Sequence, residues 1–368
     1  MVRSIIGFVE PYDPGLFPED LAEGYGLEAS EIVNLGSNEN PYPPPLPVLE
    51  EISSALGEVN RYPHPSYRVL KEGLADYTGF DEGFISVGAG ASELLDNVCK
   101  LFLDPLDKVV VPVPTYTLYM LLAMLREAEL NFIETEDSAF QLDLETLVEA
   151  SKDAKLTFMG SPNNPTGGVV PQDLLGELLG EVEGIIVLDE TYHEFSGSSA
   201  AGLVEDHDNL IVIRSMSKYF SLAGLRIGYS ISNPKVAEAL ERIRLPFSIS
   251  RPAVRGALKA LEELEYFRKV RDRILAERDR LLREMGRFSF LKAYPSQANF
   301  ILLKVLRKPS DASLTELLAE KRIIVRGLEG LPGLRGEYVR VTVGRPEENS
   351  RFIAACEEIE DCLRDGSG

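Results

Sequence analysis

The residues best suited to chemistry lie in one run, Arg214-Ser215-Met216-Ser217-Lys218-Tyr219-Phe220-Ser221-Leu222-Ala223-Gly224-Leu225-Arg226. A lysine amine forms an imine with an aldehyde, while neighbouring hydroxyls and a guanidinium can hold a phosphate carried by the same molecule. Lys218 sits among small hydroxyl residues, with Arg226 eight positions on, and so suits a phosphate-bearing aldehyde. Alone, a lysine after a strand is ordinarily solvated surface. Three further runs bear on it. In Ile185-Ile186-Val187-Leu188-Asp189-Glu190-Thr191-Tyr192 an acid ends an apolar stretch. A buried carboxylate needs a cationic partner, and a protonated pyridine nitrogen is one; a helix-capping aspartate is the plainer reading. Ser161-Pro162-Asn163-Asn164-Pro165-Thr166-Gly167 follows an apolar run and places two asparagines where a strand's C-terminal end meets ligands in α/β sheets. By itself it is a turn. Val87-Gly88-Ala89-Gly90-Ala91-Ser92-Glu93 is a glycine-rich turn ahead of a helical pattern. Glycine lets backbone approach a phosphate, and a helix N-terminus offers free N–H groups. The dinucleotide fingerprint G-x-G-x-x-G is not met, since Glu93 holds the last position.

These runs require an α/β scaffold. Short apolar runs at 84–87, 108–113, 131–133, 156–159, 185–188, 209–213 and 227–231 alternate with helical patterns such as 92–103 and 171–179. Several are continuous rather than alternating, as in strands buried on both faces. The pattern predicts a mostly parallel sheet with helices on its faces. After about residue 246 long charged amphipathic stretches, 252–274 and 275–285, precede three more runs at 299–305, 322–325 and 338–343. That order predicts a smaller α+β domain. The expected division is an N-terminal arm over 1–45, a large domain over 46–248 and a small domain over 249–368, with a disordered tail from Asp365.

Composition narrows the function classes. The chain has 368 residues, is 44% hydrophobic and carries a formal charge of −21. That charge repels phosphate backbones and argues against nucleic acid. A phosphorylated ligand would need a local cluster of donors working against the global field. Three cysteines without a C-x-x-C pair and three scattered histidines support neither a disulfide framework nor a metal site. No apolar run approaches the roughly 18 residues of a membrane helix, and the N-terminus lacks a signal-peptide core. A cytoplasmic protein is the expectation.

Taken in this order and spacing, the four runs resemble the fold-type I pyridoxal 5′-phosphate (PLP) enzymes, specifically the class I/II aminotransferases. The resemblance covers nearly the whole chain. It implies a large domain with a mostly parallel seven-stranded sheet plus a smaller α+β domain. It implies that Lys218 carries PLP as a Schiff base and that Asp189 pairs with the pyridinium nitrogen, so that the ring acts as electron sink. Tyr192 and Asn164 would bond the ring's phenolic oxygen, Tyr116 would stack on the ring, and Ala91, Ser92, Ser215, Ser217 and Arg226 would cradle the phosphate.

Within that superfamily the chain looks most like the histidinol-phosphate aminotransferase group. The supporting segments are Pro11-Tyr12, Ser37-Asn38-Glu39-Asn40-Pro41-Tyr42, Arg61-Tyr62-Pro63, Ser296-Gln297-Ala298-Asn299-Phe300, Ile324-Val325-Arg326 and Val339-Arg340-Val341-Thr342-Val343-Gly344. The resemblance implies that Tyr62 reaches the cofactor phosphate of a second subunit, hence a homodimer with shared sites. It implies that Arg340 clamps a substrate α-carboxylate, that Tyr12 and Arg326 bind a distal phosphate, and that the partners are a phosphorylated amino substrate and a 2-oxo acid, 2-oxoglutarate. Two features depart from the group: Ser92 stands where aspartate is usual, and the segment after Pro63 is about one residue short. Both lean toward threonine-phosphate decarboxylases, whereas the Ser37–Tyr42 segment and the Val341-Thr342-Val343-Gly344 ending lean toward aminotransferases. The same motifs would also serve a general aromatic aminotransferase or a non-catalytic PLP-binding protein.

Overall fold

Apolar runs too short for helices, and rich in valine and isoleucine, become strands wherever both faces are covered. In the computed structural model, which describes residues 2–135 and 139–365, twelve strands form two sheets. They are β1 (Val33–Leu35), β2 (Ile85–Gly88), β3 (Lys108–Val113), β4 (Glu129–Glu134), β5 (Leu156–Gly160), β6 (Ile185–Asp189), β7 (Leu210–Ser215), β8 (Gly228–Ser232), β9 (Leu291–Tyr294), β10 (Phe300–Val305), β11 (Ile323–Gly327) and β12 (Tyr338–Thr342). The seven-stranded sheet has the order β2-β8-β7-β6-β5-β3-β4. Strands β3 to β7 run parallel, and β8 pairs antiparallel with both β2 and β7. Its middle strands β5 and β7 are buried throughout, while the edge strand β4 is exposed or half-buried at every position. The tail beyond Asp365 lies outside the described residues.

Helices flank this sheet. They include α1 (Leu46–Ala55), α2 (Arg68–Thr78), α3 (Gly90–Phe102) and α4 (Thr117–Leu125). Further along come α5 (Arg251–Glu262), α6 (Leu264–Met285) and α7 (Pro346–Asp365). The break between α5 and α6 falls at Glu263, so the expected continuous stretch 252–274 is two helices. The cause is packing: α5 lies on α1 and α2, whereas α6 runs on to α7 and the small sheet. By its packing, then, α5 lies with the helices of the large sheet.

The five-stranded sheet has the order β1-β11-β12-β10-β9. Strand β1 comes from the N-terminal segment and pairs parallel with β11. The segment expected as an arm therefore supplies an edge strand, with Leu35 almost fully buried. No helix among the described residues is long and apolar enough to cross a membrane.

Candidate active site

The C-terminal ends of β5, β6 and β7 open into a cleft of about 750 Å³ between the two sheets. This is where an open parallel sheet exposes its strand ends to a ligand. Asp189 closes β6 and is 8% exposed. Its Oδ1 accepts from the backbone N–H of Thr191 at 2.9 Å, and its Oδ2 from the Tyr119 hydroxyl at 2.8 Å. No salt bridge within the described residues reaches it, and burial raises its pKa. It is a desolvated carboxylate with neutral partners only, which leaves it short of a cation.

Strand β7 ends at Ser215, and the chain turns so that Ser215, Ser217 and Lys218 all line the cleft. The Lys218 Nζ donates to the Ser37 carbonyl at 3.0 Å. Burial first, then the Arg340 and Arg226 charges, lower its pKa to about 8. Arg226, in the left-handed region at φ 53°, donates to Ser217 Oγ at 3.4 Å and to the Ala223 carbonyl. It lies against the start of α3, where Gly90 has φ +79°. A Cβ on Gly90 would come within 2.4 Å of Arg226 Nη2. Ala91 and Ser92 continue that rim. A helix N-terminus, two serine hydroxyls and a guanidinium thus converge, and such a set binds a phosphate.

The cleft wall is aromatic. Tyr116 precedes α4 and meets Tyr12 edge-on at 6.1 Å and Tyr119 edge-on at 5.6 Å. Tyr192 is buried, its hydroxyl accepts from Asn38 Nδ2 at 3.0 Å, and burial raises its pKa to about 12. Asn164 reaches the far side, where its Oδ1 accepts from Arg340 Nη1 at 2.7 Å. Arg340 Nη2 donates to the Gly36 carbonyl at 2.6 Å, and its Nε is buried without a partner among the described residues. Both acceptors are neutral. Arg326 is the cross-strand neighbour of Arg340 in the β11–β12 pair. It bonds the Asp13 carbonyl at 2.5 Å and the Asp13 carboxylate at 3.1 Å.

One expected residue lies elsewhere. Tyr62 is 74% exposed, stacks on Phe247 at 4.3 Å and does not line this chain's cleft. Two further residues that line the cleft, Tyr119 and Asn38, do not stand out in the sequence. Tyr119 is signalled only by its spacing of three from Tyr116, which puts both rings on one side of a helix start. Asn38 sits at φ 52°, and its backbone N–H donates to the Thr342 hydroxyl. Together Gly36, Ser37 and Asn38 contact Arg340, Lys218 and Tyr192.

Comparison with known proteins gives a consistent picture. The sequence model of the family "Aminotransferase class I and II" matches residues 30–355. "Histidinol-phosphate aminotransferase 2" of Archaeoglobus fulgidus is 46% identical over 358 residues, covering 97% of this chain and 100% of the relative. The histidinol-phosphate aminotransferase of Methanothermobacter thermautotrophicus is 35% identical and covers 97% of each. The crystal structure of histidinol-phosphate aminotransferase from Sinorhizobium meliloti in complex with pyridoxal-5′-phosphate superposes with a TM-score of 0.87 at 27% identity, covering 98% of both chains. The chain therefore belongs to the class I and II aminotransferase family, in the group of the histidinol-phosphate aminotransferases.

Proposed function

We propose that this protein transfers an amino group between histidinol phosphate and 2-oxoglutarate, with PLP held on Lys218. The residues present fit that cofactor: an amine held near neutrality, a buried carboxylate lacking a cation, and a phosphate cradle opened by Gly90. Bound PLP supplies a carbonyl that condenses with amines and an electron-withdrawing ring. The chain's own groups do the rest. Lys218 Nζ, with a pKa drawn down to about 8, is close enough to neutral to take a proton from the substrate Cα and give one back. Asp189 would serve as counter-ion to the ring nitrogen, Tyr192 and Asn164 would hold the ring's oxygen, and Tyr116 would cover a ring face. Ala91, Ser92, Ser215, Ser217 and Arg226 would hold the cofactor phosphate.

The observation that carries the substrate reading is the pairing of Arg326 with Arg340 directly across β11 and β12. Like charges in that register repel, and each lowers the cost of binding an anion there. A transaminase of this kind must accept two amino substrates in turn. One ends in a phosphate ester and has no carboxylate; glutamate carries two carboxylates. Two adjacent guanidiniums, with Tyr12 at the rim, suit both. Asp13 is the anion that Arg326 meets in this structure.

The same reading makes the protein a homodimer. Leu56, Val59, Tyr62, Leu245 and Phe247 are all exposed, and Tyr62 stacks on Phe247. Exposed apolar side chains gathered in these two stretches of chain suit an association surface, and Tyr62 would enter the partner's site from it. One panel tests the substrate: histidinol phosphate, threonine phosphate and phenylalanine, each with 2-oxoglutarate, following glutamate and CO₂. Glutamate from histidinol phosphate is expected. CO₂ from threonine phosphate without glutamate would make the protein a decarboxylase. Strong turnover of phenylalanine that is indifferent to Arg326→Ala would make it a general aromatic aminotransferase.

A further inference from the structure

The buried carboxylate of Asp189 is held by neutral donors: Thr191, two residues on, and one side chain from another element. That side chain, Tyr119, is 2% exposed and is the third residue of α4. Its ring is clamped: it stacks on Phe158 at 5.2 Å with 7° between planes and meets Tyr116 edge-on. A hydroxyl on so constrained a ring has one place to point, and it points at Asp189 Oδ2, 2.8 Å away. The Thr191 N–H fixes Oδ1. Each oxygen spends one lone pair on these bonds and keeps another for a ligand. The plane of the carboxylate is thereby set by α4 and by the turn after β6 before any ligand arrives.

We propose that Tyr119 is a positioning residue: its hydroxyl fixes the Asp189 carboxylate and keeps it anionic opposite a protonated ring nitrogen. The inference rests on the reading of Asp189 as that nitrogen's counter-ion. The physical argument concerns where one proton sits. A donor on Oδ2 stabilises the carboxylate against protonation, offsetting the burial that favours the neutral acid. Loss of the donor makes Asp189 the stronger base, so the shared proton moves from the ring nitrogen toward Oδ2 and the ring withdraws electrons less well. Few other groups compete. The titratable side chains coupled to Asp189 are Tyr116, Tyr119 and Tyr192, and its register partners on β5 and β7 are Gly160 and Ile213. Thr191, in the turn after β6, also bonds the carboxylate through its side chain, so Tyr119 is the hydroxyl donor that comes from another element and can be removed without touching that turn.

The test loads the protein with PLP labelled with ¹⁵N at the ring nitrogen and records that signal across pH in the wild type, Tyr119→Phe, Phe158→Leu and Asp189→Asn, alongside steady-state kinetics. Tyr119→Phe keeps the ring and its stacking and removes only the oxygen. Its signal should move part of the way toward that of unprotonated pyridine, further as pH rises. Its kcat should fall about tenfold with KM for the amino donor within about twofold, the pattern of a group that acts on the transition state alone. Phe158→Leu keeps the hydroxyl, and its nitrogen signal should stay at the wild-type position. A wild-type signal and kcat in Tyr119→Phe would overturn the proposal. So would a shift in Phe158→Leu as large as that in Tyr119→Phe, which would mean that packing, not the hydroxyl, sets the proton. The Asp189→Asn arm separates the two layers: an unmoved signal there removes Asp189 as counter-ion, whereas a moved signal there with none in Tyr119→Phe removes Tyr119 alone.

Discussion

Replacing Arg340 by methionine should separate function from stability. Among the described residues the Arg340 fork bonds only neutral acceptors, Asn164 Oδ1 at 2.7 Å and the Gly36 carbonyl at 2.6 Å, and its Nε is buried without a partner. Those bonds offset the cost of desolvating the cation, so little net stability resides there. Methionine fills a similar volume without a charge. The melting temperature of Arg340→Met should therefore stay within about 3 °C of wild type, the shift that ~1 kcal/mol produces in large chains. Binding of a carboxylate is another matter. An anion on the fork gains two charge-assisted bonds of about 1.5–3 kcal/mol each. Losing roughly 3–6 kcal/mol lowers kcat/KM for glutamate by about 10²–10⁴ at 1.4 kcal/mol per decade. Arg340→Lys, which keeps a charge but not the fork, should lose about 10–100-fold. Single-turnover absorbance changes of the loaded enzyme with glutamate measure the first quantity, and thermal melts the second. A glutamate kcat/KM within threefold of wild type in Arg340→Met would refute the reasoning, as would a collapse of the fold.

Gly90→Ala places a Cβ 2.4 Å from Arg226 Nη2 at a φ of +79°, so the dissociation constant for PLP should rise at least about tenfold, and titration giving a value within twofold of wild type would show that the cradle is elsewhere. In cofactor-free protein, Lys218 has a pKa near 8 against 10.5 unfolded, so the unfolded chain binds the extra proton between those values and stability rises with pH across that window. Lys218→Met should accordingly be more stable than wild type by about 3 kcal/mol below pH 8, with the advantage gone by about pH 10.5; parallel urea-stability curves for the two proteins would sink this. Mixed dimers of Tyr62→Phe and Lys218→Ala subunits should regain part of the activity that each pure variant lacks, since one site then holds both intact residues. No recovery on mixing would place Tyr62 outside the partner's site.

The strands of the large sheet were legible because burial on both faces leaves continuous apolar runs, as in β5 and β7. The site residues on their ends were legible because Asp189, Asn164 and Lys218 follow those runs directly. What was not legible depended on distant partners. Nothing between Leu261 and Leu264 breaks a helix by type, and the break at Glu263 comes from α5 settling on α1 and α2. Val33–Leu35 is too short to signal a strand, and it becomes one only beside β11. Tyr119 reads as an apolar helix residue until Asp189 is brought beneath it.

The dependence of β1 on β11 also sets an order of events during synthesis. Every strand of the seven-stranded sheet lies between Ile85 and Ser232, so that sheet can assemble while the rest of the chain is still being made. Val33, in contrast, must wait for Ile323. At about 5–20 residues per second the delay is roughly 15–60 s. Throughout that interval Gly36, Ser37 and Asn38 lack the β1–β11 pairing that anchors them. Lys218 precedes Ile323 by 105 residues, so for roughly the last 5–20 s it and Tyr192 lack the groups that the finished protein sets against them. A nascent chain can thus present the sheet and its strand ends well before it can present an ordered site. Premature condensation of an aldehyde with Lys218 would meet a pocket without its N-terminal wall.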